Sequence, residues 1–232
     1  MTPSNLTTTD PTTSQLSHSQ VSPWLKQIIH PLGQYLVVPT FFGKIQVFGR
    51  EHVPRTGAVI LAPTHRTRWD PILVPYAVGP YVTGRSSRFM VSADEMKGIQ
   101  GWFVRRLGGF PVDTNKPGIA SIRHSVELLH AGEMLTIFPE GNLFRDGTLH
   151  PLKKGLARIA THAVALKPDL DLKVIPIALN YQHPTARFRD RVSIHIGTPL
   201  DVQSYLEFSA KQGAQQLHED LTRSLENLMA AN

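Results

Sequence analysis

The sequence predicts an α/β fold with a mixed, largely parallel central sheet flanked by helices, preceded by interfacial amphipathic helices at the N-terminus. Three observations lead there. Apolar runs of strand length recur at 58–62, 134–138 and 172–179. Between and after them lie stretches with apolar residues at helical spacing, such as Ile119, Ile122, Val126 and Leu129, or Leu217, Leu221, Leu225 and Leu228. Strand-like and helix-like segments alternate, the order a parallel sheet needs for its crossover connections.

Taken in order, the first twenty residues are rich in Thr, Ser and Pro and contain no apolar run, so residues 1–22 read as a disordered tail and not as a secretory signal. Residues 23–48 turn apolar and aromatic, from Trp24 and Leu25 to Phe41 and Phe42, but Lys26, His30, Pro31, Gly33, Pro39 and Lys44 interrupt them. A bilayer-spanning helix needs roughly 20 mainly apolar residues in succession. One or two short amphipathic helices lying in a membrane interface, with Trp24 and Lys26 near the headgroups, fit better. A helix packed on the domain's own core is the alternative.

The main domain is expected over 49–232. A turn signal at Pro54, Arg55, Thr56 and Gly57 precedes the buried strand 58–62, and His65 sits just past that strand's end. Asp70 and Pro71 form a helix start, Asp as N-cap and Pro at the first helical position. Further strands are expected at 88–92 and 110–113, a helix over 117–131 closed by Gly132, then the strand 134–138. A helix beginning near Gly155, strands at 172–179 and 192–196, and a final helix complete the pattern. Ligands in such folds bind beyond the carboxyl ends of the strands, where His65, Asp113 and Glu140 all fall.

Composition narrows the chemistry. A chain of 232 residues fits one large domain, and 24 Lys and Arg against 18 Asp and Glu give a formal charge of +6, which favours anionic partners. There is no cysteine, which excludes disulfides, thiolate catalysis and Cys-ligated metal sites.

Two motifs bear chemistry. His65 and Asp70 bracket a single loop, close enough for the carboxylate to hold one ring nitrogen and leave the other as a base. A helix cap beside an incidental surface histidine would show the same spacing. The second is the run Phe138, Pro139, Glu140, Gly141, Asn142, Leu143, Phe144 and Arg145, in which glycine admits a close ligand and arginine suits a phosphate. Its plain alternative is a turn with a solvent-facing salt bridge.

Together the two resemble the glycerolipid acyltransferase family that includes 1-acylglycerol-3-phosphate acyltransferases. The family's H-x-x-x-x-D motif matches His65 to Asp70 and its F-P-E-G motif matches Phe138 to Gly141, in the same order. Lys153, Lys154 and Gly155 resemble the basic step that follows, and Val174, Ile175, Pro176, Ile177 and Ala178 its strand-borne fourth motif. The resemblance spans about residues 40–200. It implies that His65 deprotonates a lysolipid hydroxyl, that Asp70 orients His65, and that Pro139, Glu140, Gly141, Arg145 and Lys154 place the substrate. The implied reaction moves an acyl group from acyl-CoA or acyl carrier protein to the sn-2 hydroxyl of lysophosphatidate, giving phosphatidic acid for phospholipid biosynthesis. No acyl-enzyme, metal or bound cofactor is required. The expected setting is a membrane surface on its cytoplasmic face, without nucleic acid.

The sequence departs from the family at Thr114, where the second motif commonly ends in Arg, and this leaves the acceptor open, with Arg66, Arg68 and Arg105 as substitutes. Thr64 stands where many members have Asn, and Asn142 and Leu143 where many have Thr and Arg. Competing classes are weaker. A His-Asp hydrolase would need a nucleophile motif or a metal cluster, and a lipid-binding or nucleic-acid-binding module would be expected to mass its basic residues.

Overall fold

A computed structural model describes residues 21–112, 118–207 and 209–231. The expected strand 110–113 loses Asp113 to this limit, and both Thr114 and the tail expectation for residues 1–20 lie outside the described residues.

The chain begins with α1 (Pro23–Pro31), continues through a π-helical stretch (Leu32–Val37) into a short α2 (Val38–Phe41), and enters the sheet as β1 (Lys44–Phe48). There follow β2 (Ala58–Pro63), α3 (Asp70–Val78), the short α4 (Pro80–Thr83), β3 (Ser87–Ser92), α5 (Gly98–Leu107) and β4 (Gly109–Val112). The second half contains α6 (Ile119–His130), β5 (Met134–Thr136), α7 (Gly155–Leu166), β6 (Leu172–Tyr181), β7 (Arg191–Ile196), β8 (Leu200–Asp201) and α8 (Ala210–Ala230).

These strands form one eight-stranded sheet in the order β1, β7, β6, β2, β5, β3, β4, with β8 on β6. Neighbours run parallel except at β6·β7 and β6·β8. The mixed, mostly parallel sheet is the one expected. Strand β2 lies at its middle and is buried along its whole length, because parallel crossovers put helices on both faces. Its side chains alternate: Ala58, Ile60 and Ala62 join a core with residues of α6, α7 and α8, while Val59 and Leu61 join another with Leu73, Val74 and Ala77 of α3. Fully burying each large aliphatic chain stabilises by roughly 1.5–3 kcal/mol.

Several details differ from the reading of the sequence. Residues 44–48, placed within the amphipathic segment, are a sheet strand paired with β7. The strand expected at 134–138 stops at Thr136, since the chain must turn out of the sheet before Pro139. Helix α5 was not expected at all. Its sequence has Gly98 and Gly101 and leaves Ile99, Trp102 and Phe103 exposed, so no buried stripe announces it.

The N-terminal segment divides its side chains sharply. Leu25, Val38 and Phe42 are buried, whereas Trp24, Ile28, Tyr35 and Leu36 are more than half exposed, at 58%, 56%, 67% and 53%. Among the described residues no helix is long and apolar enough to cross a membrane. The end of the segment is tied to the turn that leads into β7: Arg189 N donates to Phe41 O (2.6 Å) and Gly43 N to Asp190 O (2.9 Å).

Candidate active site

The site is built where β2 and β5, adjacent and parallel, release their chains at the same sheet edge. Thr64 prolongs the pairing with β6, its N–H donating to Ile177 O (2.9 Å) and its hydroxyl accepting from Leu179 N (3.0 Å). His65 then leaves the strand end, and the chain curls so that Asp70, the first residue of α3, turns back under it. The Asp70 carboxylate therefore does not cap its own helix as expected. It is fully buried, and its Oδ2 accepts from His65 Nδ1 (2.8 Å), Arg66 N (2.6 Å) and Thr67 N (2.8 Å). An oxygen already receiving two backbone N–H groups accepts from the imidazole as well, so Nδ1 carries the hydrogen there and Nε2 is left as a base. Asp70 Oδ1 accepts from the Tyr181 hydroxyl, and Thr67 Oγ1 lies 3.3 Å from it.

The loop after β5 closes over the other side. Phe138 lays its ring beside His65, 4.2 Å between centroids, and Phe144 N donates to His65 O (2.9 Å). Gly141 has φ +73°, and a Cβ there would come within 2.6 Å of Lys153 Cδ and Cε, so glycine both permits the turn and leaves room for the lysine. Beyond it, Phe144 stacks on His150 at 3.7 Å, and His150 Nε2 bonds Asp146 Oδ2 (2.6 Å). That bond, followed by those from Thr148, lowers the Asp146 pKa to about 2.

Both loops border one cleft of about 2010 Å³, above the roughly 300–1,000 Å³ of ordinary small-molecule sites. Its lining is mostly apolar, with Val91, Val104, Ile122, Leu156 and Ile159 among the residues. Arg68, Lys153, Lys154, Arg158 and Lys211 line it as well, against Glu95 and Glu219. His65 lines it, its side chain 20% exposed. Among the described residues no group of three or more His, Cys, Asp or Glu is placed to hold a metal ion.

The profile of the Acyltransferase family matches residues 44–180, well over half of the chain and both loops. The chain belongs to the Acyltransferase family. This acyltransferase is 27% identical over 196 residues to a Bacillus subtilis 1-acyl-sn-glycerol-3-phosphate acyltransferase, covering 83% of the chain and 92% of that protein. It is 28% identical over 149 residues to an enzyme of the same name from Streptococcus pneumoniae, covering 62% and 50%. Its fold is that of the 1-acyl-sn-glycerophosphate acyltransferase PlsC from Thermotoga maritima, with a TM-score of 0.64, 22% identity, and 89% and 80% of the two chains covered.

Of the residues singled out in the sequence, the acyltransferase brings His65 and Asp70 into direct contact and sets Pro139, Gly141 and Lys154 along the cleft. Glu140 behaves differently from the substrate contact implied for it. Its side chain is fully buried, with Arg66 Nη1 at 3.0 Å from both oxygens, His65 N at 3.1 Å and His150 N at 3.0 Å. It is a cross-brace between the loops, and its ion pair with Arg66 is internal, unlike the solvent-facing salt bridge of the plain alternative. Arg66 is thereby committed to Glu140, which removes it as a substitute phosphate ligand. Arg145 is exposed and lies outside the lining, and Arg105 likewise is not part of it; Arg68 is. Reading the sequence missed Lys153 as a lining cation, although it stood beside the chosen Lys154, and missed Tyr181 altogether. No motif marks that tyrosine.

Proposed function

We propose that this acyltransferase moves a fatty acyl group from a thioester, acyl-CoA or acyl carrier protein, to the sn-2 hydroxyl of lysophosphatidate. The observation that supports this most directly is the 2.8 Å contact of His65 Nδ1 with a buried Asp70 carboxylate at the wall of a large apolar cleft. His65 Nε2 takes the hydroxyl proton as the hydroxyl oxygen attacks the thioester carbonyl carbon. The new C–O bond forms, the C–S bond breaks, and the proton passes to the departing sulfur. Apolar walls suit the acyl chain, and Arg68, Lys153 and Lys154 suit the acceptor's phosphate and the donor's anionic groups. The names of the bacterial relatives point to the same acceptor. No metal or bound cofactor has a part in this scheme. The exposed apolar side chains of α1 and the π-helical stretch suit a lipid surface, from which a lysolipid would enter the cleft.

Transfer of a labelled acyl group to lysophosphatidate, from acyl-CoA and from acyl carrier protein in parallel, tests the reading. Wild-type protein is expected to form phosphatidic acid and His65→Ala to lose activity by at least about a hundredfold. Equal rates from both proteins would remove His65 from the chemistry, and product only with another lysolipid would change the acceptor.

A further inference from the structure

We infer that Tyr181, at the end of β6, is a positioning residue for the reaction: it holds Asp70 from the side opposite His65 and sets how strongly that carboxylate grips the imidazole. The inference rests on the His65 and Asp70 roles proposed above. Tyr181 lies one residue beyond the stretch that matches the family profile. The Tyr181 hydroxyl donates to Asp70 Oδ1 and accepts from Thr67 Oγ1 (2.9 Å), and Thr67 also reaches Oδ1 at 3.3 Å. A chain therefore runs from Thr67 to Tyr181 to Asp70 to His65, each member within hydrogen-bond reach of the next.

Three features fit a positioning role better than packing alone. Burial, and then the neighbouring Asp70 charge, push the Tyr181 pKa well above its ordinary value, so the phenol stays protonated and donates. The two carboxylate oxygens divide their partners: Oδ2 serves His65 and the loop backbone, and Oδ1 serves the Tyr181 hydroxyl, with Thr67 Oγ1 beside it. The ring itself is steadied by Phe42, 6.2 Å away between centroids. Charged groups of other elements lie near the dyad, and Glu140 Oε1 accepts from His65 N at 3.1 Å. Arg66 pairs with Glu140, Arg68 lies 3.4 Å from Glu95, and Lys153 lies beside Gly141.

A phenol donating to a buried carboxylate draws part of its charge away from the imidazole. Without the hydroxyl, the carboxylate binds the protonated imidazole more tightly and His65 gives up its proton only at higher pH. Tyr181→Phe keeps the ring and removes only this bond. Its kcat is expected to fall about tenfold, with KM for both substrates within about twofold of wild type. The acid limb of its kcat–pH profile is expected to move up by about half a unit. A purely structural role would lower the melting temperature and leave that limb in place. Should Tyr181→Phe not fold, Thr67→Val, which removes the hydroxyl that donates to the phenol, undergoes the same measurement. An unmoved limb in the variant measured, whatever its rate, overturns the inference. His65→Ala assayed alongside separates the two levels: if that variant is active, the dyad reading itself falls. If it is inactive while Tyr181→Phe matches wild type in rate and profile, only the role of Tyr181 falls.

Discussion

Glu140 is held by one guanidinium and two backbone N–H groups, all away from solvent. Leaving one member of such a pair buried without its partner is costly, because its charge keeps the desolvation penalty and loses the attraction. Glu140→Gln is therefore expected to destabilise the protein by on the order of 3 kcal/mol in chemical denaturation. The same change should loosen both loops and lower kcat, and a variant with wild-type stability would contradict the brace. The motif containing Glu140 is legible in the sequence, but its role is not. The deciding partner, Arg66, stands 74 positions earlier, and only the parallel pairing of β2 with β5 brings the two together. His65 and Asp70 were legible because five positions of chain suffice to join them. Tyr181 is 111 positions from Asp70 and belongs to no local pattern.

Among elements, α1 and the π-helical stretch after it form the part whose polarity was readable and whose extent was not. Its apolar and aromatic composition, broken by Lys, His, Pro and Gly, pointed to short amphipathic helices, while the change to a strand at Lys44 is decided by pairing with β7, an interaction across the fold. The exposed Trp24, Ile28, Tyr35 and Leu36 give this segment its proposed lipid contact. Replacing Trp24, Ile28 and Leu36 together by Ser is expected to lower co-flotation with anionic phospholipid vesicles by about tenfold or more. Turnover of a short-chain, water-soluble acceptor should be kept. Unchanged flotation would place the lipid contact elsewhere. Helix α5 escaped notice for the converse reason, since Ile99, Trp102 and Phe103 are exposed and leave no periodic stripe facing the core.

At the scale of the whole molecule, layered α/β architecture follows from local patterns, but the cleft does not. Its walls come from β3, β4, β5, α3, α5, α6, α7, α8 and the loops after β2 and β5, and no one segment contains enough of them to reveal it. Helix α8 illustrates the coupling this creates. Leu217, Leu221 and Leu225 are buried in the core shared with α7, while Gln212, Gln215, Gln216 and Glu219 line the cleft. Leu221→Ala is expected to cost about 2–5 kcal/mol, read from the denaturation midpoint. It should also raise KM for the acyl donor, whereas a stability loss with unchanged KM would show that the helix does not shape binding.

The aromatic end of the N-terminal segment has a practical meaning. Phe41 stacks on Trp69 at 4.1 Å, and Phe42 touches both Trp69 and Tyr181, so the residue just before Asp70 and the phenol beside it are walled in by this segment. A greasy segment ahead of the first strand is the natural piece to cut away when a protein is awkward to purify. Here the cut would fall through the aromatic wall around Asp70, the carboxylate proposed to orient His65, and a shortened enzyme that handled well would be a poor witness to how the full chain works.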